Sequence, residues 1–222
     1  MGKPAARITD RVQHPLPPVL TPGTTGSPNV MIGGKPAWRG LPSAQAAIVS
    51  AAKQVADTLV QTAEQLTKAA NFPPAKVVAF AAEQATKTAV ATSMTSLIAT
   101  SASTAAATTA ASGSFGTVDL HACMTPSPIP PHGVGVVIDA SSTVLINGLP
   151  ACFEGNTILE PLGSPNKITG GCSNVLIGTG PASPISVDIS SIATSMTNQA
   201  AQASQKAAQD VQEKAKQASE GS

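Results

Sequence analysis

The sequence predicts a small β domain of short repeated strands, with an α-helical hairpin inserted in one loop and an α-helix after it. Two observations on the 222 residues carry this prediction. Most of the 18 glycines and 19 prolines, which disfavour helices, lie in residues 1–42 and 113–185, and few lie in 43–112 and 186–222. A short motif also recurs three times within the glycine- and proline-rich parts.

Composition excludes several classes of function. Aromatic residues make up 2% of the chain, charged residues 11%, and the formal net charge is +1. A nucleic-acid-binding protein usually combines a basic patch with stacking aromatic side chains, so no nucleic-acid partner is expected. The same scarcity of aromatic residues disfavours an enzyme with a large, aromatic-lined substrate pocket.

The glycine-free part after residue 42 has the pattern of a helical hairpin. Apolar and small residues recur at spacings of three and four over Ile48–Ala69, which predicts an amphipathic helix. Ser43 is its predicted N-cap, and the Pro73-Pro74 pair predicts its end. A second helix is predicted from Pro74. It is expected to fade after Met94, where serine and threonine accumulate, and to stop at Ser112-Gly113.

The last part of the chain, residues 186–222, carries one narrow apolar stripe from Ile189 to Val211 at helical spacing. This pattern predicts a C-terminal helix. Because the stripe is rich in alanine, the helix is expected to need a partner to be stable: the hairpin, another chain or a downstream domain.

A charge-free stretch, Thr88–Val118, leaves three interpretations open. It runs for 31 residues without a charge, which invites a membrane-spanning helix. Fourteen of these residues are serine or threonine, however, and most others are alanine, so insertion into lipid gains little free energy. The alternatives are a water-exposed helix and a segment that meets a membrane only late in the protein's working life.

The start of the chain and its cysteines bear on the compartment. Lys3, Arg7, Asp10 and Arg11 precede any apolar run, so no secretory signal is expected and the predicted site of synthesis is the cytoplasm. The three cysteines are an odd number, which excludes a full disulfide framework and leaves thiolates free for a metal.

The repeated motif predicts a strand, a tight turn and the start of a second strand. It occurs as Gly26–Ala37, Ala140–Ala151 and Gly171–Ala182, each with valine at position five, isoleucine at position seven and Pro-Ala at the end. Residues 1–42 and 113–185 are therefore predicted to form one domain around the inserted hairpin. Its few large side chains predict a small core. Domains with so small a core usually need an additional cross-link, such as a disulfide or a bound metal ion, to be stable.

The histidine and cysteine residues suggest that this cross-link is a metal ion. All six lie in the β parts: His14, His121, His132, Cys123, Cys152 and Cys172. Three histidines and one cysteine would make a closed tetrahedral zinc site. The alternative is that the histidines are solvated loop residues and the cysteines small buried side chains.

Several motifs in one order resemble a known family. Ala5–His14 fits the pattern A-A-R-x-x-D-x-x-x-H, and it is followed by Asp119–Cys123, Pro131–Gly133 and Gly171–Gly178. The chain resembles PAAR-repeat proteins, which form the tip of the type VI secretion system spike, and its opening resembles the prePAAR motif. The resemblance covers roughly residues 1–37 and 119–182, without the hairpin or the C-terminal helix.

The resemblance implies a mainly β cone of three repeats whose base caps the trimeric spike protein VgrG, one copy per trimer. It also implies a zinc ion near the vertex, held by three histidines and one cysteine. Carried onto this chain, the zinc ligands are His14, His121, His132 and Cys172. Cys123, two residues from His121, could replace it or compete with it. Cys152 is expected in the core.

The expected function is therefore a non-enzymatic, zinc-stabilised tip that aids puncture of target membranes, with membrane contact during delivery. Arg7 and Asp10 are expected to pair or cap locally, because they are too few for a catalytic dyad. The alternative function is the delivery part of an effector, or an adaptor whose helices in 43–112 and 186–222 recruit cargo or a helical chaperone. The implied location is the cytoplasm before firing, then a target cell.

Overall fold

Three long helices stand beside small antiparallel sheets in the computed structural model. The parts of the chain that it describes are residues 2–21, 26–111, 113, 116–126, 130–180 and 185–220. The predicted combination of short strands, helical hairpin and C-terminal helix is confirmed. The expected predominance of β structure is not, because helices of 27, 39 and 31 residues accompany strands of two to seven residues. The fold is therefore mixed.

Ten strands form one four-stranded and three two-stranded sheets among the described residues. The four-stranded sheet has the order β4-β5-β8-β9, and the three pairs are β1-β10, β2-β3 and β6-β7. The strand bounds in chain order are β1 Lys3–Ala5, β2 Met31–Ile32, β3 Lys35–Pro36, β4 Leu120–Pro126, β5 Pro131–Val137, β6 Leu145–Ile146, β7 Leu149–Pro150, β8 Thr157–Leu159, β9 Asn166–Lys167 and β10 Cys172–Ile177.

The first two copies of the repeated motif form the predicted hairpins. Positive φ angles at both central turn residues, 54° and 77° at Gly33-Gly34 and again at Asn147-Gly148, are those of a type I′ turn. The third copy pairs differently: its strand β10 joins the N-terminal strand β1, with Leu176 opposite Pro4. The N-terminal Lys3–Ala5 segment thus takes the place that the sequence assigned to Pro181-Ala182, which lies outside the described residues.

A ring of backbone hydrogen bonds joins the three segments that follow strands β1, β3 and β7. Ala6 N donates to Cys152 O at 2.9 Å, Cys152 N to Trp38 O at 2.9 Å, and Trp38 N to Ala6 O at 3.0 Å. Because each segment donates to one neighbour and accepts from the other, the ring closes with three-fold pseudo-symmetry. Cys152 is buried in this region, as the sequence predicted.

The helices are longer and more continuous than predicted. Helix α1 spans Ser43–Ala69, and its N-cap residue is Pro42 without a side-chain cap, so the predicted N-cap at Ser43 is wrong. Helix α2 spans Pro73–Ala111 and helix α3 Ser190–Glu220. Ser112, the predicted end of the second helix, lies outside the described residues.

Helix α2 does not fade after Met94, because packing outweighs its weak helix propensity. Met94, Ile98 and Ala105 are buried in a core shared with α1, α3 and the β sheet. Exposed threonines such as Thr104 and Thr108 donate their hydroxyls to carbonyls one turn earlier, at 2.9 Å. No helix within the described part of the chain is long and apolar enough to cross a membrane.

Candidate metal centre

Three arms of the pseudo-symmetric ring lead to one buried group of donor atoms. The first arm runs from Ala5 to His14 and the third from Ala151 to Glu160. The second begins at Ala37, is interrupted by helices α1 and α2, and resumes at 119–123. The interruption is bridged by Asp119, whose carboxylate ion-pairs with Arg39 at 2.9 Å.

An equivalent side-chain cap occurs on each arm. Asp10 accepts a hydrogen bond from Arg7 N at 2.8 Å, and Asn156 accepts one from Phe153 N at 2.7 Å. On the second arm Asp119 accepts from Arg39 N at 2.8 Å. The predicted local pairing of Arg7 with Asp10 is therefore confirmed.

The residues four positions after these caps meet. They are His14, Cys123 and Glu160, and His132 from β5 completes the group. The two histidine Nδ1 atoms lie 3.0 Å and 2.7 Å from Glu160 Oε2, and Cys123 Sγ lies 3.5 Å from His14 Nδ1. All four side chains are buried, and one donor atom of each lies within 4.8 Å of the others.

This donor set fits a divalent cation. Tetrahedral zinc with bonds of about 2.0–2.3 Å holds its donors roughly 3.3–3.8 Å apart. The donor separations here run from 2.7 Å to no more than 4.8 Å and so span that range. Glu160 is fully buried, and its Oε1 atom has no hydrogen-bond partner among the described residues. An unpaired carboxylate oxygen is costly in such a place, and a bound cation would compensate it.

The electrostatics of the donor group also favour a bound cation. Burial raises the pKa of the Cys123 thiol above its ordinary value, and the nearby Glu160 carboxylate raises that pKa further. A cation would offset both effects by stabilising the thiolate, because metal ligands bind in their deprotonated form. Metal binding is therefore expected to release a proton from Cys123.

The four predicted ligands do not all lie together. The structure brings His14 and His132 into the buried group, but His121 is not among its donors. Its Nε2 lies 3.4 Å from Asn166 Nδ2, and its Nδ1 lies 3.5 Å from Thr21 N. The arms explain this position: His121 comes two residues after its cap, where the other arms carry Val12 and Ile158, both core residues. Cys123, the alternative to His121, is the residue that points to the group.

Cys172 lies in a separate core cluster with Ile32 and Ile177. In the repeated motif it corresponds to Ser27 and Ser141. Their hydroxyls accept hydrogen bonds from the backbone three residues later, at 3.1 Å and 3.0 Å. Cys172 thus occupies a turn position at the start of the repeat and is not one of the grouped donors.

Glu160 was not among the predicted ligands, because these were drawn only from the histidines and cysteines. The signal that could have found it is the shared spacing of the arms: Asp10, Asp119 and Asn156 each precede a donor by four residues. The helices between residues 43 and 111 hide this spacing on the second arm.

Comparison with known proteins identifies no relative of this chain. The chain matches no protein-family model, no curated protein and no solved structure.

The buried His121 predicts acid sensitivity of the metal-free protein. Burial, and secondarily the charge of His14, lowers the pKa of His121 from 6.5 to about 4. The unfolded chain therefore binds a proton between these pH values that the folded chain does not. The free energy of unfolding is expected to fall by roughly 3 kcal/mol as pH decreases from 6.5 to 4.

Chelator-treated protein unfolded in urea at several pH values measures this effect. His121→Val, which carries the side chain of its counterpart Val12, is expected to lack this part of the pH dependence. If the free energies of unfolding of the two proteins fell in parallel between pH 6.5 and 4, the pH dependence could not be assigned to His121.

Proposed function

We propose that this chain is a PAAR-type tip of a type VI secretion spike, a metal-stapled cone that caps a VgrG trimer in one copy and aids puncture. The observation that carries the proposal is the ring formed by Ala6, Trp38 and Cys152, with its three equivalent arms. A single chain with three-fold pseudo-symmetry can present the same contact to each subunit of a symmetric trimer.

A set of exposed apolar side chains supports a trimeric partner such as VgrG. Met31, Leu145 and Leu176 occupy the same position in the three repeats and are 56%, 61% and 60% exposed. The isoleucine after each of them is buried in one shared cluster. These three exposed side chains, the apolar triad, therefore offer a trimer three equivalent apolar contacts around one axis.

Zinc is the proposed metal of the donor group. Nitrogen from His14 and His132, sulfur from Cys123 and oxygen from Glu160 are donors that zinc accepts. Four protein donors leave no open position for substrate, so the proposed role of the metal is structural and the chain is proposed not to be an enzyme. The proposed route is from the cytoplasm into a target cell.

Binding to a purified trimeric spike protein tests the proposal. Light scattering is expected to find one copy per trimer. Replacing Met31, Leu145 and Leu176 together with serine is expected to weaken the complex roughly a hundredfold or more, because three apolar contacts of about 1 kcal/mol or more are lost. The matched control is Phe72→Ser with Phe80→Ser, which removes similarly exposed side chains elsewhere. Three copies per trimer, or equal weakening by both variants, would refute the proposed docking surface.

A second candidate function, an adaptor for cargo or a helical chaperone, is favoured by one observation. Four apolar side chains around the turn between α1 and α2 are more than half exposed: Leu66, Phe72, Val77 and Phe80. They include two of the four phenylalanines in the chain. If this function holds, the Phe72→Ser, Phe80→Ser control loses a cellular partner that the apolar-triad variant retains.

A further inference from the structure

Helix α1 carries a buried cation that reaches toward the metal centre. Lys53 is 4% exposed, on a helix face that otherwise buries small residues such as Ala52 and Ala56. Its Nζ donates to Asp57 on the same helix and, at 3.1 Å, to the carbonyl oxygen of Gly163. A buried ammonium is costly unless it is hydrogen-bonded, so this position is tied to its two acceptors.

Gly163 lies directly against the ring of His132. Its φ is +73°, and a Cβ atom built there would come within 2.2 Å of His132 Nε2 and 2.5 Å of Cε1. On the other side of the same ring, Nδ1 lies 2.7 Å from Glu160 Oε2. Leu162 N also donates to the carbonyl of His132 at 3.1 Å. The 160–163 loop therefore supplies one donor and encloses another.

We propose that Lys53 is a positioning residue of the metal centre, which couples the docking of the helical hairpin to metal binding. By holding the Gly163 carbonyl, it keeps the 160–163 loop closed over His132 and keeps Glu160 in place. Coupling of this kind is reciprocal: a bound metal stabilises the docked hairpin, and undocking the hairpin loosens the metal. The inference rests on the proposed metal site.

Zinc affinity, measured by competition with a chromogenic chelator, tests the role of Lys53. Partners outside the ligand shell typically contribute 10- to 100-fold to metal affinity, and a loss of roughly tenfold or more is expected for Lys53→Met. The matched control is Lys87→Met. Lys87 is also a buried hairpin lysine, 3% exposed, but it pairs with Glu83 and Glu64 at 2.7 Å and 2.8 Å. Its variant is expected to keep wild-type affinity.

One further measurement uses the wild-type chain and therefore does not depend on how well these variants fold. In the wild-type chain, adding zinc is expected to slow amide hydrogen exchange around Lys53 more than around Lys87.

The outcomes separate the inference from the proposed function. If the wild-type chain binds no metal, the proposed metal site itself fails. If it binds zinc but Lys53→Met retains wild-type affinity, or zinc slows exchange equally around Lys53 and Lys87, the coupling is refuted and the metal site stands. Equal loss of affinity in both lysine variants would likewise assign the effect to general destabilisation of the hairpin.

Discussion

Cys123→Ala is expected to abolish stoichiometric zinc binding, whereas Cys172→Ser is expected to leave it intact. Cys123 Sγ lies 3.5 Å from His14 Nδ1 within the buried donor group. Cys172 lies in a different cluster and corresponds in the repeat to Ser27 and Ser141, so serine suits its position. The pair of variants therefore separates the ligand set that the structure assembles from the one implied by family resemblance.

The loss of stability expected for Cys123→Ala follows from the thermodynamic linkage between zinc binding and folding. At free zinc about 1,000 times the dissociation constant, binding stabilises the folded state by about 4 kcal/mol, and Cys123→Ala forfeits this contribution. For a chain of this length that corresponds to a melting temperature roughly 10 °C lower. Elemental analysis and thermal unfolding with and without chelator measure both quantities. Zinc retained by Cys123→Ala and lost by Cys172→Ser would reverse the assignment.

Asp119→Ala is expected to be the most destabilising substitution outside the metal centre. Arg39 and Asp119 side chains are 1% and 0% exposed and are joined by hydrogen bonds of 2.9 Å and 3.0 Å. Removing the carboxylate leaves a buried guanidinium without its counter-charge, which typically costs about 3–5 kcal/mol. The backbone of Arg39 loses its cap as well.

The pseudo-symmetry of the ring supplies the matched control. Asp10 makes the same contacts to Arg7 on the first arm, but the Arg7 side chain is 16% exposed and retains contact with water. Asp10→Ala is expected to cost about 1–2 kcal/mol. Urea unfolding at neutral pH measures both variants. Equal losses, or a loss below 1 kcal/mol for Asp119→Ala, would contradict the importance of burial at the second arm.

Local structure was largely predictable, because it depends on neighbours along the chain. Helix spacing from Ile48 to Ala69 and the Pro73-Pro74 break correctly placed α1 and the start of α2. The two Gly-containing turns at 33–34 and 147–148 were likewise predictable hairpins. The continuation of α2 past Met94 was not, because burial against other elements overrides a weak propensity that the sequence displays locally.

The donor group was only half predictable. His14 and His132, which the sequence offered as candidate ligands, do lie together, and so does Cys123, which stood as an alternative. The choice of Cys123 over His121, and the entry of Glu160, depend on which side chains of an arm face inward. That orientation is set by the caps at Asp10, Asp119 and Asn156, which residue type alone does not reveal.

The amino-acid order thus establishes where helices, turns and repeats lie, and which residue types are available to bind a metal. Tertiary structure decides which of them meet. The N-terminal Lys3–Ala5 segment closes the third repeat, and the donors of three arms converge although His14 and Glu160 are 146 positions apart. The physical reason is that periodicity and turn chemistry act over a few residues, whereas a closed three-fold ring is fixed by hydrogen bonds between distant segments.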